Sequence, residues 1–208
     1  MKPVLYVSHS KRGAFYYNDA SARYRCVFPA EALVSAGKQA HAIHFTQINK
    51  VRLQNYQKVI FHRPQFSRKL QLIIKQLKKR NIEHWVDFDD LLFIPELAET
   101  SAAVQSGKMS IPVAVKHAQA YQKAMMLFDH CQLSTQALAE QAKRLKANMQ
   151  TKVVYNKVPQ RWVKQIDYTT LKTPLEDKVK ARLEKKISRY LPGTSQHKHE
   201  FEYVENFL

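Results

Sequence analysis

The sequence of 208 residues predicts an α/β fold, a parallel sheet with helices on both faces. Three observations point to it. Apolar runs of strand length alternate with amphipathic runs of helix length, the order that parallel strands joined by crossover helices require. The apolar runs end in polar residues (Ser8, His62, Asp87, Ser134, Asn156), as βα turns do. Hydrophobic residues make up 45% of the chain, enough for a core and against disorder.

The elements follow in order. Pro3 to Ser8 reads as the first strand, and His9 to Asp19 as a polar loop containing Gly13. A helix then runs to about Ala36, with Gly37 placed as its C-cap. Pro29 lacks an N–H, so this helix either starts there or is kinked there. Gln39 to Phe45 is the second strand and Lys58 to His62 the third. In the helix Ser67 to Arg80, Leu70, Ile73, Ile74 and Leu77 recur at i, i+3, i+4 and i+7, with lysines off that stripe and Ser67 as N-cap. Glu83 to Phe88 is the fourth strand, leading into Asp87-Phe88-Asp89-Asp90. Pro95 to Ser110 has weak periodicity and reads as a loop or lid. Pro112 fits the first turn of a helix reaching about Phe128. Asp129 to Ser134 is a strand, Thr135 caps a helix to about Ala147, and Lys152 to Tyr155 is the last strand, closed by Asn156 and Pro159. Residues 1–160 therefore read as one domain and 161–185 as a linker with a charged helix. Residues 186–208 read as strand, turn and helix, an incomplete second α/β unit.

Composition bounds the function. Thirty-four Lys and Arg against seventeen Asp and Glu give a net charge of +17, which attracts polyanions such as an acidic membrane surface, nucleic acid or phosphorylated substrates. No run approaches the ~18 consecutive apolar residues of a membrane span. The apolar stretch at the N-terminus is too short for a signal peptide, so a soluble, cytoplasmic protein is expected. Cys26 and Cys131 have no CxxC or CxxH neighbours and read as two buried thiols in a reducing compartment. Dinucleotide, Walker A, HExxH, zinc and GxSxG patterns are absent, so no metal and no cofactor is expected. Nucleic acid is not an expected partner either, because no aromatic stacking stripe lies among the basic residues.

In an open parallel sheet, ligands collect at the carboxyl ends of the strands. Read along that edge, the candidates are His9, His62, Arg63, Asp87, Asp89, Asp90, Ser134, Thr135 and Asn156. Capping alone accounts for Thr135. The acidic cluster has competing readings: it binds a divalent cation, acts as a base, or accepts hydrogen bonds from sugar hydroxyls. Alternatively one Asp caps a turn and another pairs with a lysine. A continuing strand would point Asp87 and Asp89 to one side and Asp90 away. Arg23 and Arg25 on the first helix either meet a phosphorylated acceptor or lie on a solvated face.

Four stretches carry a resemblance: Ala22-Arg23-Tyr24-Arg25 through Leu33 and Gly37; Val59 to Pro64; Val86-Asp87-Phe88-Asp89-Asp90-Leu91-Leu92-Phe93; and Asp129 through Ser134-Thr135 to Ala139 with Val153 to Pro159. Their order resembles the retaining nucleotide-sugar glycosyltransferases of GT-B architecture, with two facing Rossmann-like domains, especially those that build bacterial surface polysaccharides. Tyr190-Leu191-Pro192-Gly193-Thr194 with His197 and Glu200-Phe201 is similar to the opening of that family's donor domain, with Pro192 for a small residue and Glu200 for aspartate.

The resemblance implies transfer of a sugar from a nucleotide donor, a co-substrate rather than a cofactor, to a glycan or lipid-linked acceptor, with the first domain holding the acceptor. A lipid-linked acceptor implies a peripheral position at the inner membrane. Gly193, Thr194 and His197 become donor-loop candidates. The family's donor-gripping residues lie deeper in the second domain than this sequence reaches. The chain is therefore expected to be a truncated, inactive acceptor half, or a subunit completed by a separate donor-domain chain. A non-catalytic basic protein that binds anionic membrane or nucleic acid is the alternative.

Overall fold

A computed structural model of the protein describes residues 2–156. The expected linker, the second unit and the donor-loop candidates Gly193, Thr194 and His197 lie outside the described residues.

Six strands form one sheet: β1 (Val4–Ser8), β2 (Ala40–His44), β3 (Lys58–His62), β4 (Glu83–Phe88), β5 (His130–Leu133) and β6 (Gln150–Val153). All neighbours are parallel, in the order β2-β1-β3-β4-β5-β6, a Rossmann-like arrangement. Chain direction reverses across the sheet between β1 and β3, the switch point where such sheets open a crevice. Helical segments are α1 (Ala20–Ala22), α2 (Phe28–Ser35), α3 (Arg68–Lys79), α4 (Ala102–Gln105), α5 (Ile111–Met125) and α6 (Gln136–Leu145).

Strand alternation decides which helix covers which face. Leu5, Val7, Val59, Phe61, Val86 and Phe88 share one core with the buried stripes of α3 and α6 and with Ala124 and Met125 at the end of α5. Tyr6 and Ile60, one residue out of phase, pack with Cys26 and Ala30 beneath α2. Helices on both faces are thus present, one on the α2 side and three on the other. In α3 the four residues of the i, i+3, i+4, i+7 stripe are the buried ones, and the Ser67 side chain accepts from the Leu70 amide. Leu77 is fully buried, so Leu77→Ala removes roughly 2–5 kcal/mol of stability.

One sequence expectation is refined and two need correction. α2 begins at Phe28 with Pro29 in its first turn, where the sequence placed a helix start, but a π-turn, Arg23–Val27, runs directly into it, and the Phe28 amide reaches back five residues to the Arg23 carbonyl. Proline cannot donate to the carbonyl four residues earlier, and the widened turn absorbs that loss. The last strand lies two residues earlier than Val153-Val154-Tyr155 suggests, because the Gln150 amide bonds Asp129 and residues 150–153 match β5 in register. Pro95 to Ser110 is not an irregular lid. It forms a 3-10 turn and α4, and Ala98 packs with Ala114 and Ala118 of α5 in a small core of its own.

Candidate functional site

β3 and β4 pair so that His62 stands beside Asp87. Asp87 is the hub and has no exposed surface. Its Oδ2 accepts from Arg25 Nε (3.1 Å) and His62 Nδ1 (2.8 Å); its Oδ1 accepts from Arg25 Nη2 and from Gln132 Nε2 (2.9 Å). Burial alone would push this carboxyl up. The Arg25 charge and the hydrogen bonds from His62 and Arg25 outweigh burial and bring it down to about 2. Arg25 is 1% exposed, which overturns its solvated-face reading; the π-turn carries it inward with Cys26. Its Nη1 also donates to the Val154 carbonyl and to Asn156 Oδ1 (3.3 Å), tying the first helix to the end of β6. Arg23, on the same turn, is half-buried and makes none of these contacts with Asp87.

From His62 the network continues outward. His62 Nε2 lies 2.8 Å from Ser21 Oγ, and Ser21 Oγ donates to Asp89 Oδ2 at 2.6 Å. The His62 ring thus links Asp87, on the floor, to Ser21 and through it to Asp89. Arg63 then bridges two acids, Nε to Asp89 and Nη2 to Asp90. Asp90 therefore turns toward the same guanidinium as Asp89 instead of pointing away. The strand stops at Phe88, and the period-2 alternation behind that expectation stops with it. Arg63 sits at φ 48°, a strained position for a residue with a side chain, and its amide bonds the Asp87 carbonyl.

Ser21, His62 and Asp87 have the spacing of a serine nucleophile, base and orienting acid. The surroundings exclude acyl transfer. The Ser21 and Ala22 amides are both spent on Asp19 Oδ1, so neither serves an oxyanion. Asp89 also places a carboxylate against the serine oxygen where negative charge would develop. Nor does the acidic cluster read as a cation site. Both oxygens of Asp87 and of Asp89 face protein donors, and among the described residues no group of three His, Cys, Asp or Glu is arranged to hold a metal.

Around this floor stand groups with hydrogen-bonding capacity. Asp19 caps α1 and accepts from Ser10 Oγ at 2.6 Å. Gln65 Nε2 lies 3.2 Å from His117 Nδ1. Lys11 and Lys116 stand close enough to His117 to push its pKa down, with burial as the larger cause. Compared with known proteins, the chain matches no protein-family model and none of the curated proteins. The remaining site assignments therefore rest on geometry.

Of the sequence candidates, Arg25, His62, Arg63, Asp87, Asp89 and Asp90 are brought into one network, and Asn156 reaches it through Arg25. Ser134 supports it from below, donating to the Asp89 carbonyl at 3.0 Å. Thr135 is the N-cap of α6 and accepts from the Leu138 amide. His9 stays outside the network: its ring stacks on Phe45 at 4.1 Å and its buried Nε2 has no partner. Burial, then the neighbouring His44 and His62, lower its pKa to about 3. The sequence reading missed Ser21, Asp19 and Gln132. Gln132 carried no clear signal, because its strand, His130-Cys131-Gln132-Leu133, is half polar and only the fold shows the glutamine to be buried. A hollow on the opposite edge, lined by Lys2, Leu33, Gly37 and Gln57 among others, lies at the amino ends of the strands, away from these residues.

Proposed function

We propose that residues 2–156 are the acceptor-binding domain of a nucleotide-sugar glycosyltransferase, with the carboxyl edge of the sheet as the cleft. One observation carries the reading: the edge is a dense alternation of donors and acceptors that face one another. Arg25, His62 and Arg63 face Asp87, Asp89 and Asp90. A cleft of this kind offers a phosphate little net attraction and a metal no open carboxylate pair. It suits a ligand rich in hydroxyls, each of which both donates and accepts. Asp90 and Arg63 are its reachable members, with side chains 60% and 24% exposed, while Arg25 and Asp87 hold the floor. The order of sequence stretches shared with the two-domain glycosyltransferases points the same way. In this reading the nucleotide is gripped by a second domain, in the same chain or in a separate one.

The test is equilibrium binding of the full chain to a panel of neutral oligosaccharides and their polyprenyl-diphosphate-linked forms. We expect one glycan class to bind, and Arg63→Ala or Asp89→Asn to weaken it about tenfold or more, the loss of a charged hydrogen bond. Binding unchanged in both variants, or no glycan bound at all, would remove this assignment.

A further inference from the structure

We infer that Phe15 and Tyr17, the exposed rings of the 3-10 turn Gly13–Asn18, are a stacking platform for a pyranose ring of the ligand. The inference rests on the acceptor-cleft reading and adds to it the apolar half of the site, which the hydrogen-bonding network does not supply.

Tyr16 anchors the turn. Its hydroxyl donates to the Ala42 carbonyl at 2.8 Å, and its ring stacks on His44. The His44 ring is itself held, 2.8 Å from Thr46 Oγ1 and 2.9 Å from the Ser10 carbonyl. The ends of the turn are fixed as well: Ser10 Oγ accepts from the Arg12 amide and donates to Asp19, and the Gly13 amide bonds the Ser10 carbonyl. Phe15 and Tyr17, on either side of Tyr16 in the chain, stay outside, 62% and 47% exposed, with ring centroids 6.1 Å apart at 66°. None of these anchoring bonds uses either exposed side chain. Two rings held in place before a ligand arrives lose little freedom on binding it.

The platform adjoins the polar network. The turn ends at Asp19, whose side chain accepts from the amide of Ser21, the residue that joins His62 to Asp89. Burial raises the Asp19 carboxyl, but hydrogen bonds from Ser10 and the Ala22 amide, with the charge of Arg63, bring it below its ordinary value. Arg63 is therefore within electrostatic reach of the end of the turn. An aromatic face beside groups that donate and accept matches the two surfaces of a pyranose, C–H bonds on one face and hydroxyls around the rim. Two other occupants fit less well. A nucleobase would stack too, but its phosphates would meet a network in which Asp87, Asp89 and Asp90 outnumber Arg25 and Arg63. A bilayer-inserting tip gains from Leu or Trp beside Phe, and Gly13–Asn18 contains no Leu, Ile, Met or Trp.

The experiment is ligand-observed NMR of the full chain with cellotetraose, chitotetraose, maltotetraose and mannotetraose. The proteins are the parent, Phe15→Leu, Phe15→Ser/Tyr17→Ser, Tyr17→Phe and Arg63→Ala. Tyr16 is kept in all of them, and circular dichroism checks that each is folded. The expected result is that at least one tetrasaccharide binds the parent with its C–H protons shifted upfield by a ring current. Phe15→Leu keeps an apolar side chain but no ring, so it should weaken binding roughly fivefold and reduce the upfield shift. The serine pair should lose roughly tenfold or more and abolish that shift, while Tyr17→Phe stays at the parent value. Binding lost in Arg63→Ala but parent-like in the serine pair, shift included, would overturn the platform and leave the cleft reading standing. No tetrasaccharide bound by the parent would remove both. Displacement of the sugar by uridine or adenosine would assign the rings to a base and overturn the proposal. Co-sedimentation with phosphatidylglycerol vesicles that the serine pair abolishes, and Phe15→Leu preserves, would assign them to a bilayer and overturn it as well.

Discussion

The Arg25–Asp87 pair sets the geometry of the cleft, and a double-mutant cycle measures how much. Both side chains are buried, and Asp87 takes four hydrogen bonds, two of them from Arg25. Arg25→Met leaves a buried carboxylate with only His62 and Gln132. Asp87→Asn leaves a buried guanidinium facing a group that is half donor. Each single change should cost about 3–5 kcal/mol, the penalty of an uncompensated buried charge. The double variant strands neither charge and should recover about 2 kcal/mol of the summed loss. The pH dependence gives an independent figure. Asp87 falls from 3.8 to about 2 on folding, which at 1.36 kcal/mol per unit is about 2 kcal/mol. Its folded pKa is depressed, so this stability is present above pH 3.8 and is lost as pH falls toward 2. Urea unfolding of the four proteins, followed by circular dichroism at pH 7 and pH 3, reads both quantities. Additivity within about 0.5 kcal/mol at pH 7 would show that the pair is not coupled and that the cleft floor is held by something else.

Further predictions can be checked in the same assay. His9 is held neutral by burial, from 6.5 down to about 3; its stabilisation is present above pH 6.5 and is lost as pH falls toward 3, so up to roughly 3 kcal/mol disappears by pH 4.5. His9→Phe should flatten that slope, and a parent-like slope in the variant would assign it to another group. Arg63 at φ 48° is strained for any side chain, so Arg63→Gly should be about 1 kcal/mol more stable than Arg63→Ala while both lose glycan binding. Ser67→Ala removes the cap on α3 and should cost about 1 kcal/mol without affecting the cleft.

The sheet was legible where local pattern and global packing agree. β3 and β4 begin and end where the apolar runs meet polar residues, and α3 follows its stripe because every stripe position is buried. β6 was misplaced because Val153, Val154 and Tyr155 make the most apolar run, whereas pairing with His130 to Leu133 selects residues 150–153. Arg25 was illegible for a different reason. An arginine on an amphipathic helix looks solvated unless its partner is known, and Asp87 lies on another strand, brought close only by the fold. Ser21 carried no signal at all, since a serine near a helix start is read as a cap. Here Asp19 is the cap, and Ser21 joins His62 to Asp89.

The central claim, that the carboxyl edge of the sheet holds a hydroxyl-rich acceptor, is tested most directly by hydrogen exchange of the full chain with and without a saturating glycan. Slowed exchange is expected in residues 9–22, 62–66 and 87–92, the segments that carry Ser21, Arg63, Asp89 and Asp90. Protection confined to the opposite edge, around Lys2, Leu33, Gly37 and Gln57, would place the ligand at the wrong end of the strands and contradict the account.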